Sequence, residues 1–407
     1  MVAQMMAIDG SSSRRQRSHV RQDRDAGRER PLRLCMVIPS LSAGVQHNVA
    51  FVEALQSLDV AVRVLTAVGP PNDRPDWLRV LPGGAMGRRT RGGVERVSLV
   101  WASWRVATEL IRLRPDAILC VEYGMTTIWG LIASRIAGAR VAIVQEHAYR
   151  EQRGFRRIRR TLRRALARNV DVVIANTSGA AGYVVDELGV DPARVATLRL
   201  LVPPDQSQIS RRDVELPPSN GGLRFVFVGR LIPRKNVASL VRAASMIRQR
   251  GASFDVVVAG DGPERANLNL LAERLQVIDI VHFVGSIPHD AVGNIYRRCD
   301  VFVMPSLWDY RSVAVMEAMR CGKPIIASSL DGNVNDTVRD GVNGFVVNPR
   351  DVDQLADAME AFVQAPSLVE EMGEAARSVW SGADTLESAR RLIDTVLSDR
   401  PMGEGSR

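Results

Sequence analysis

Two cations stand five positions apart where an apolar run ends, in Phe227-Val228-Gly229-Arg230-Leu231-Ile232-Pro233-Arg234-Lys235-Asn236. A strand closing on Gly229 delivers Arg230 and Lys235 to a sheet edge, just before a helix with Asn236 as its N-cap. An Arg fork, a Lys point charge and the free N–H groups of a helix start suit a diphosphate. The same residues also fit a solvated basic loop. Farther on, two carboxylates stand eight positions apart, Asp309 and Glu317, across a loop-to-helix junction. A carboxylate accepts hydrogen bonds from vicinal sugar hydroxyls. The N–H groups around Tyr310, Arg311, Ser312 and Val313 suit phosphate or leaving-group charge. Taken singly, Asp309 is equally an N-cap and Glu317 a surface residue.

Other polar positions have simpler readings. Asp261 in Ala259-Gly260-Asp261-Gly262 and Asp336 in Gly332-Asn333-Val334-Asn335-Asp336 sit in Gly-marked strand-to-helix turns, where Asp is a turn or cap residue. Asp351-Val352-Asp353 has the spelling of a metal motif but follows Pro349 at a helix start, so it reads as capping. With five His and no clustered Cys, no metal site is expected. Cys35, Cys120, Cys299 and Cys321 lie in or beside apolar runs and read as small buried hydrophobes in a reducing compartment.

The elements that must carry these residues alternate. Leu32 to Ile38, Val60 to Leu65, Ala117 to Val121, Val141 to Val144 and Val170 to Ala175 are short, branched and apolar, as in a parallel sheet covered on both faces. Helical patterns separate them at about Gln46–Ser57, Glu95–Leu113, Thr127–Ile136 and Gly179–Leu188. Pro203 to Gly222 is Pro/Gly/Ser-rich and aperiodic, a linker. A second series follows, with strands at Leu223–Val228, Phe254–Ala259, Val281–Val284, Val301–Met304, Pro324–Ala327 and Gly344–Val347. Helices are expected between them at about Val237–Arg250, Glu264–Leu275, Asp290–Arg298 and Val313–Arg320. The chain thus divides into a disordered basic tail (1–31), a first Rossmann-like domain (32–203), a linker (204–222), a second Rossmann-like domain (223–384) and a last helical stretch (385–407) crossing back onto the first. A ligand cleft is expected between the carboxyl ends of the two sheets.

The 407 residues, 46% hydrophobic and 24% charged, suit two soluble domains. No run reaches the ~20 apolar residues of a membrane span, and the Arg-rich start lacks the apolar core of a secretory signal, so a cytoplasmic protein is expected. The net charge of +9 concentrates in the tail and between Arg150 and Arg168. There, Phe155, Ile158, Leu162, Ala165 and Leu166 recur at helical spacing among nine arginines and one acid, Glu151. Such a helix suits an anionic membrane surface at the inner face of the plasma membrane, or it is a solvated helix whose apolar stripe packs on the sheet. Nucleic acid is not expected, because interleaved aromatics and any reader motif are missing.

This order of residues resembles glycosyltransferase family 4 of the GT-B fold, closely over about Arg224 to Asn348 and more weakly over Leu32 to Val202. The family's pair of Glu residues separated by seven positions reads Asp309 and Glu317 here. The resemblance implies an α/β protein of two doubly wound parallel-sheet domains facing a cleft. It implies a retaining, metal-independent transferase with no cofactor beyond its donor. Such an enzyme moves sugar from a UDP- or GDP-sugar to a hydroxyl of a lipid-linked or saccharide acceptor, in cell-surface polysaccharide or glycolipid synthesis. Arg230 and Lys235 would hold the donor diphosphate, Asp309 the donor sugar and Glu317 the ribose hydroxyls, with Gly229, Tyr310, Arg311, Ser312 and Val313 lining the donor. The family usually has Gly at Ser312, so a less permissive backbone is expected there. Gly44, in Ala43-Gly44-Val45-Gln46, stands where the family has Gly-Gly-x-Glu, and Gly332 to Asp336 where it has Gly-Gly-x-x-Glu. His147, after Val144-Gln145-Glu146, matches a histidine that several members place near the acceptor; otherwise it is a loop histidine. A nucleotide-sugar epimerase of the same fold and a catalytically inactive nucleotide-sugar-binding homologue are the alternatives.

Overall fold

The computed structural model describes residues 30–40, 45–68, 75–89, 95–146, 156–198, 213–309, 312–380 and 385–397. Among the described residues, nine strands precede residue 213: β1 (Leu32–Ser40), β2 (Val60–Val68), β3 (Leu78–Val80), β4 (Gly83–Arg89), β5 (Glu95–Ala102), β6 (Ala117–Val121), β7 (Arg140–Gln145), β8 (Val172–Ala175) and β9 (Val195–Thr197). Seven of them form one sheet, ordered β3-β2-β1-β6-β7-β8-β9, with every pairing parallel. The helices are α1 (Val45–Gln56), α2 (Arg105–Leu113), α3 (Met125–Ala137), α4 (Arg156–Arg168) and α5 (Ser178–Gly182), the last running into a π-helical turn, Tyr183–Glu187. Side chains alternate across a strand, so β1 feeds both faces. Leu34, Met36 and Ile38 pack with Phe51, Val52 and Leu55 of α1, while Cys35 and Val37 pack with residues of α2, α3 and α4.

The second sheet is β10 (Leu223–Val228), β11 (Phe254–Ala259), β12 (Val281–Gly285), β13 (Val301–Met304), β14 (Ile325–Ser328) and β15 (Gly344–Val347), all parallel in the order β12-β11-β10-β13-β14-β15. Its helices are α6 (Val237–Gln249), α7 (Arg265–Arg274), α8 (Val292–Arg298), α9 (Val313–Arg320), α10 (Val334–Thr337), α11 (Val352–Gln364) and α12 (Ser367–Ser378). β11, β13 and β14 are buried along their whole length. That explains why these strands read as largely apolar runs without alternation, with Asp255 in β11 and Ser328 in β14 as the polar members. Both halves are therefore doubly wound α/β units, as the alternation implied. The final helix, α13 (Thr385–Leu397), places Ala389, Leu392 and Val396 in the apolar layer that α1 makes with the first sheet.

One element departs from expectation. A helix was expected over about Glu95–Leu113, but residues 95–102 form β5, antiparallel to β4, and the helix begins only at Arg105. Val97, Leu99 and Trp101 recur with period two, and that alternation with a β-branched and an aromatic member outweighs the helical spacing read across the longer window. Cys35, Cys120, Cys299 and Cys321 are buried thiols that take part in no disulfide. Burial pushes those of Cys35, Cys120 and Cys299 up to about 12, so they stay protonated and unreactive.

Candidate functional site: a charged cluster at the switch point of the second sheet

In the second sheet the connections run one way from β10 and the other way from β13, and these two strands are neighbours. Loops leaving such a pair diverge and open a crevice at the carboxyl ends of the strands. The two chemistry-bearing segments of the sequence are those two loops. Gly229 follows β10 at φ 157°, in the left-handed range, and its N–H donates to Ala259 O at 2.9 Å. Gly260 lies so close that a Cβ on it would stand 1.9 Å from Gly229 O. The loop after β10 is thus laid directly on the turn after β11, and it turns back through a short 3-10 segment, Pro233–Lys235.

That turn separates the two predicted diphosphate ligands. Arg230 is exposed at the crevice rim, whereas Lys235 is 9% exposed. The Lys235 ammonium donates to Asp309 Oδ2 and lies 3.6 Å from Met304 Sδ. Arg234, which the sequence did not single out, donates to Asp309 Oδ1 at 2.9 Å, and its guanidinium lies 5.2 Å from the centre of the Trp308 ring. Asp309 is therefore gripped by two cations. Burial pushes its carboxyl up, but the charges of Lys235 and Arg234 outweigh that and hold it below its ordinary value. The Asp side chain, one methylene shorter than Glu, is met by cations reaching in from the neighbouring loop.

Asn236 stands at the N-cap position of α6 with φ 55°, but its side chain makes no cap hydrogen bond. Its Nδ2 donates instead to Pro305 O at 3.1 Å and Pro349 O at 2.8 Å, tying three loops beneath the crevice. Ser312 has φ −79° and ψ 102°, ordinary extended backbone, so a residue larger than Gly is accommodated there without the expected constraint. Its N–H points at Asn333 Oδ1, 3.4 Å away. Glu317, on α9, is 6% exposed rather than on the surface, and its Oε2 accepts from Tyr296 Oη at 3.4 Å. Burial pushes its carboxyl up to about 7. Val313, half-buried, opens that helix. Tyr310 and Arg311 lie outside the described residues, as do Gly44 and His147.

Two turn aspartates diverge. Asp261 Oδ1 accepts from Gly262 N at 2.7 Å, a local turn contact, and Asp351 caps α11 through Gln354 N at 3.0 Å. Asp336, expected to be a turn or cap residue of its own segment, reaches the other domain. Both its carboxylate oxygens accept from Ser178 N, at 3.1 and 3.0 Å, at the start of α5. Asn176, Thr177, Met316, Asn333, Thr337 and Trp380 line the narrow gap around this contact. In the first sheet the equivalent switch point lies between β1 and β6. At its edge Glu122 is held at φ 66°, a left-handed conformation seldom adopted by Glu, which sequence patterning does not register.

The basic helix α4 is a brace as well as a charged surface. Arg164 donates to Leu188 O at 3.1 Å and Glu187 O at 2.9 Å, Arg163 to Tyr183 Oη at 3.2 Å, and Arg160 pairs with Glu187 at 3.0 Å. These arginines satisfy the carbonyl end of the Ser178–Glu187 segment. Leu166 and Ala167 pack inward, while Ile158 and Leu162 stand exposed. Of the apolar stripe, Leu166 alone among the described residues packs inward, whereas Ile158, Leu162 and Ala165 are exposed and Phe155 lies outside the described residues. Arg150 and Arg153 lie outside the described residues. No helix among the described residues is long and apolar enough to cross a membrane.

Comparison with known proteins fits this geometry. The family described as "Glycosyl transferases group 1" matches residues 209–379, and the "Glycosyl transferase 4-like domain" matches residues 44–201. D-inositol 3-phosphate glycosyltransferase 2 of Catenulispora acidiphila is 33% identical over 252 residues, 56% of this chain and 58% of that one. A GDP-mannose-dependent phosphatidylinositol monomannoside mannosyltransferase of Mycobacterium tuberculosis is 29% identical, over 69% of this chain and 78% of that one. The chain thus spans little more than half the length of the first of these relatives. Among solved structures, the Anabaena protein HepE in complex with UDP superposes with a TM-score of 0.68 at 17% identity, covering 89% of this chain and 99% of that one. A sucrose-phosphate synthase from Thermosynechococcus elongatus superposes with a TM-score of 0.69 at 19% identity, covering 89% and 98%. These likenesses carry the fold alone, two parallel-sheet α/β domains. The two family matches lie on either side of residues 202–208 and together run through both domains: the first half of the chain matches the glycosyl transferase 4-like domain and the second half the group 1 glycosyl transferases.

Proposed function

We propose that the protein is a retaining, metal-independent glycosyltransferase that moves a sugar from a UDP- or GDP-sugar to a hydroxyl of a lipid-linked or saccharide acceptor. The observation that carries this reading is the placement of Arg230 and the buried Lys235 on one loop at the switch point, with Glu317 buried on the helix that leaves the facing loop. The donor diphosphate lies against that loop. Arg230 and Lys235 neutralise the charge that grows on the departing nucleotide as the anomeric bond loosens, and Glu317 takes the ribose hydroxyls. The acceptor hydroxyl enters from the first domain on the same face, and the departing phosphate takes its proton. Closure of the two domains excludes water that would hydrolyse the donor.

No resident cofactor enters this scheme, because the two cations do the work a metal ion would do at the diphosphate. The enzyme acts in the cytoplasm, and the exposed Ile158 and Leu162 on arginine-rich α4 favour contact with an anionic membrane surface where a lipid acceptor resides. The names of the relatives support both donor and acceptor classes: one uses GDP-mannose on a phosphatidylinositol mannoside, and one neighbour was crystallised with UDP-glucose.

Arg230→Ala and Lys235→Ala should each remove roughly 2–4 kcal/mol of transition-state stabilisation, as deletion of one preorganised donor does. The check is kcat/KM with a panel of nucleotide sugars and a lipid-linked acceptor, product mass, and repetition in excess chelator. Full transfer by either variant refutes the role of these residues. Conversion of the donor sugar with no acceptor present points to the epimerase alternative, and lack of nucleotide binding by calorimetry points to an inactive homologue.

A further inference from the structure

Asp331 stands in the middle of the strand-to-helix turn after β14, next to Asp309. The two are partners in a parallel β-bridge, with Gly332 N donating to Asp309 O at 3.0 Å. Bridge partners project their side chains to the same face of the pair, about 5 Å apart. The Asp331 carboxylate therefore faces the cluster in which Lys235 and Arg234 meet Asp309.

The two carboxylates are held differently. Asp309 has a cation on each oxygen. Asp331, only 5% exposed, uses Oδ1 to accept the Asn333 N–H at 3.2 Å, while its buried Oδ2 has no hydrogen-bond partner. Beside it at the start of α9, Ser312 is 2% exposed and its Oγ is likewise buried without a partner. Buried polar groups are nearly always satisfied, and an unsatisfied acceptor is costly. The turn accounts for Oδ1, and the nearby Ser312 N–H also favours the ionised carboxylate, but no donor meets Oδ2 within hydrogen-bond distance. A cation at Oδ2 would sit against Lys235 and Arg234, and an anion would be repelled by both carboxylates. A neutral O–H donor fits the charge balance.

We propose that Asp331, rather than Asp309, accepts a hydroxyl of the transferred sugar, and that Asp309 is the counter-ion holding Lys235 and Arg234 in position. The proposal rests on the nucleotide-sugar reading of this crevice. Lys235 then meets the diphosphate from a position fixed by Asp309, and Asp331 reads the sugar from the neighbouring strand. Burial and the nearby Asp309 charge push the Asp331 carboxyl up to about 6, so near neutral pH it is ionised and a strong acceptor.

The experiment is calorimetry with UDP-glucose, GDP-mannose, free UDP and GDP, and the monodeoxy sugar analogues of whichever donor the wild type binds more tightly. In the wild type one deoxy analogue should bind roughly 10-fold or more weakly than its parent, the effect of losing a hydrogen bond to a charged group. In Asp331→Ala that difference should collapse, and in Asp331→Asn, which keeps the shape and the turn, it should shrink. Affinity for free UDP or GDP should stay the same in both. Full discrimination in the folded Asn variant, or collapse in Asp309→Asn instead, returns the sugar contact to Asp309 and overturns the proposal. If the wild type binds no nucleotide, the reading of the crevice fails and the proposal with it; nucleotide binding with unchanged discrimination defeats the proposal alone.

Discussion

Glu317 shows how a single residue changes meaning between sequence and structure. On spacing alone it is one acid in a helix; in the fold it is sealed beside Tyr296, with its carboxyl pushed up to about 7 from an ordinary 4.5 by burial. The folded state therefore holds a proton there that the unfolded state has lost. Between about pH 4.5 and 7 the folded form binds more protons than the unfolded form, so this group's contribution to stability declines as pH rises through that window. Glu317→Gln, which keeps the shape and an acceptor for Tyr296, should remove that decline. Urea unfolding at a series of pH values should show the variant gaining on the wild type as pH rises, by about 1–3 kcal/mol at pH 7. A constant difference between the two across the series would contradict this. Arg234 makes the opposite point: nothing in its spacing distinguishes it from a solvated loop arginine, and only its approach to Asp309 and Trp308 does so.

At the scale of elements, the strand-to-helix turns are set by close backbone approach. Gly260 has φ 145° and no room for a Cβ against Gly229 O, so Gly260→Ala meets both a conformational and a steric penalty. It should destabilise the second domain by roughly 2–4 kcal/mol and displace the loop carrying Arg230. Thermal unfolding and donor affinity measure both effects, and a variant with wild-type values in each would show that the turn relaxes freely. Strands buried on both faces were legible from their apolar runs, unbroken in Val301–Met304 and interrupted only by Asp255 in Phe254–Ala259. The segment over residues 95–102 was not, because its alternation was diluted by the amphipathic helix that follows it.

At the scale of the whole molecule, the two domains are joined by more than the chain that links them. α13, at the far end of the sequence, buries Leu392 and Val396 against the first domain, and Asp336 holds the Ser178 N–H across the gap. Because opening the cleft must break the Asp336 contact, Asp336→Ala should favour a more open arrangement. Small-angle scattering should then give a larger radius of gyration for the free protein, with donor addition restoring the compact value. An unchanged radius would mean that the Asp336 contact does not set the closure.

Taken by itself, the sequence determined the α/β alternation, the two-domain order, and the two loops that flank the switch point. Those features depend on local properties: apolar runs of strand length, helical periodicity, and Gly or Pro where the chain turns. Only the tertiary structure decided that Lys235 is buried while Arg230 is exposed, that Asp309 is shared by two cations, that Asp331 faces the same cluster, and that Asp336 belongs to the interface between domains. Each of these depends on which strands become neighbours. Partners about 75 to 160 positions apart share no periodicity, so their contact energies exist only once both sheets are in register.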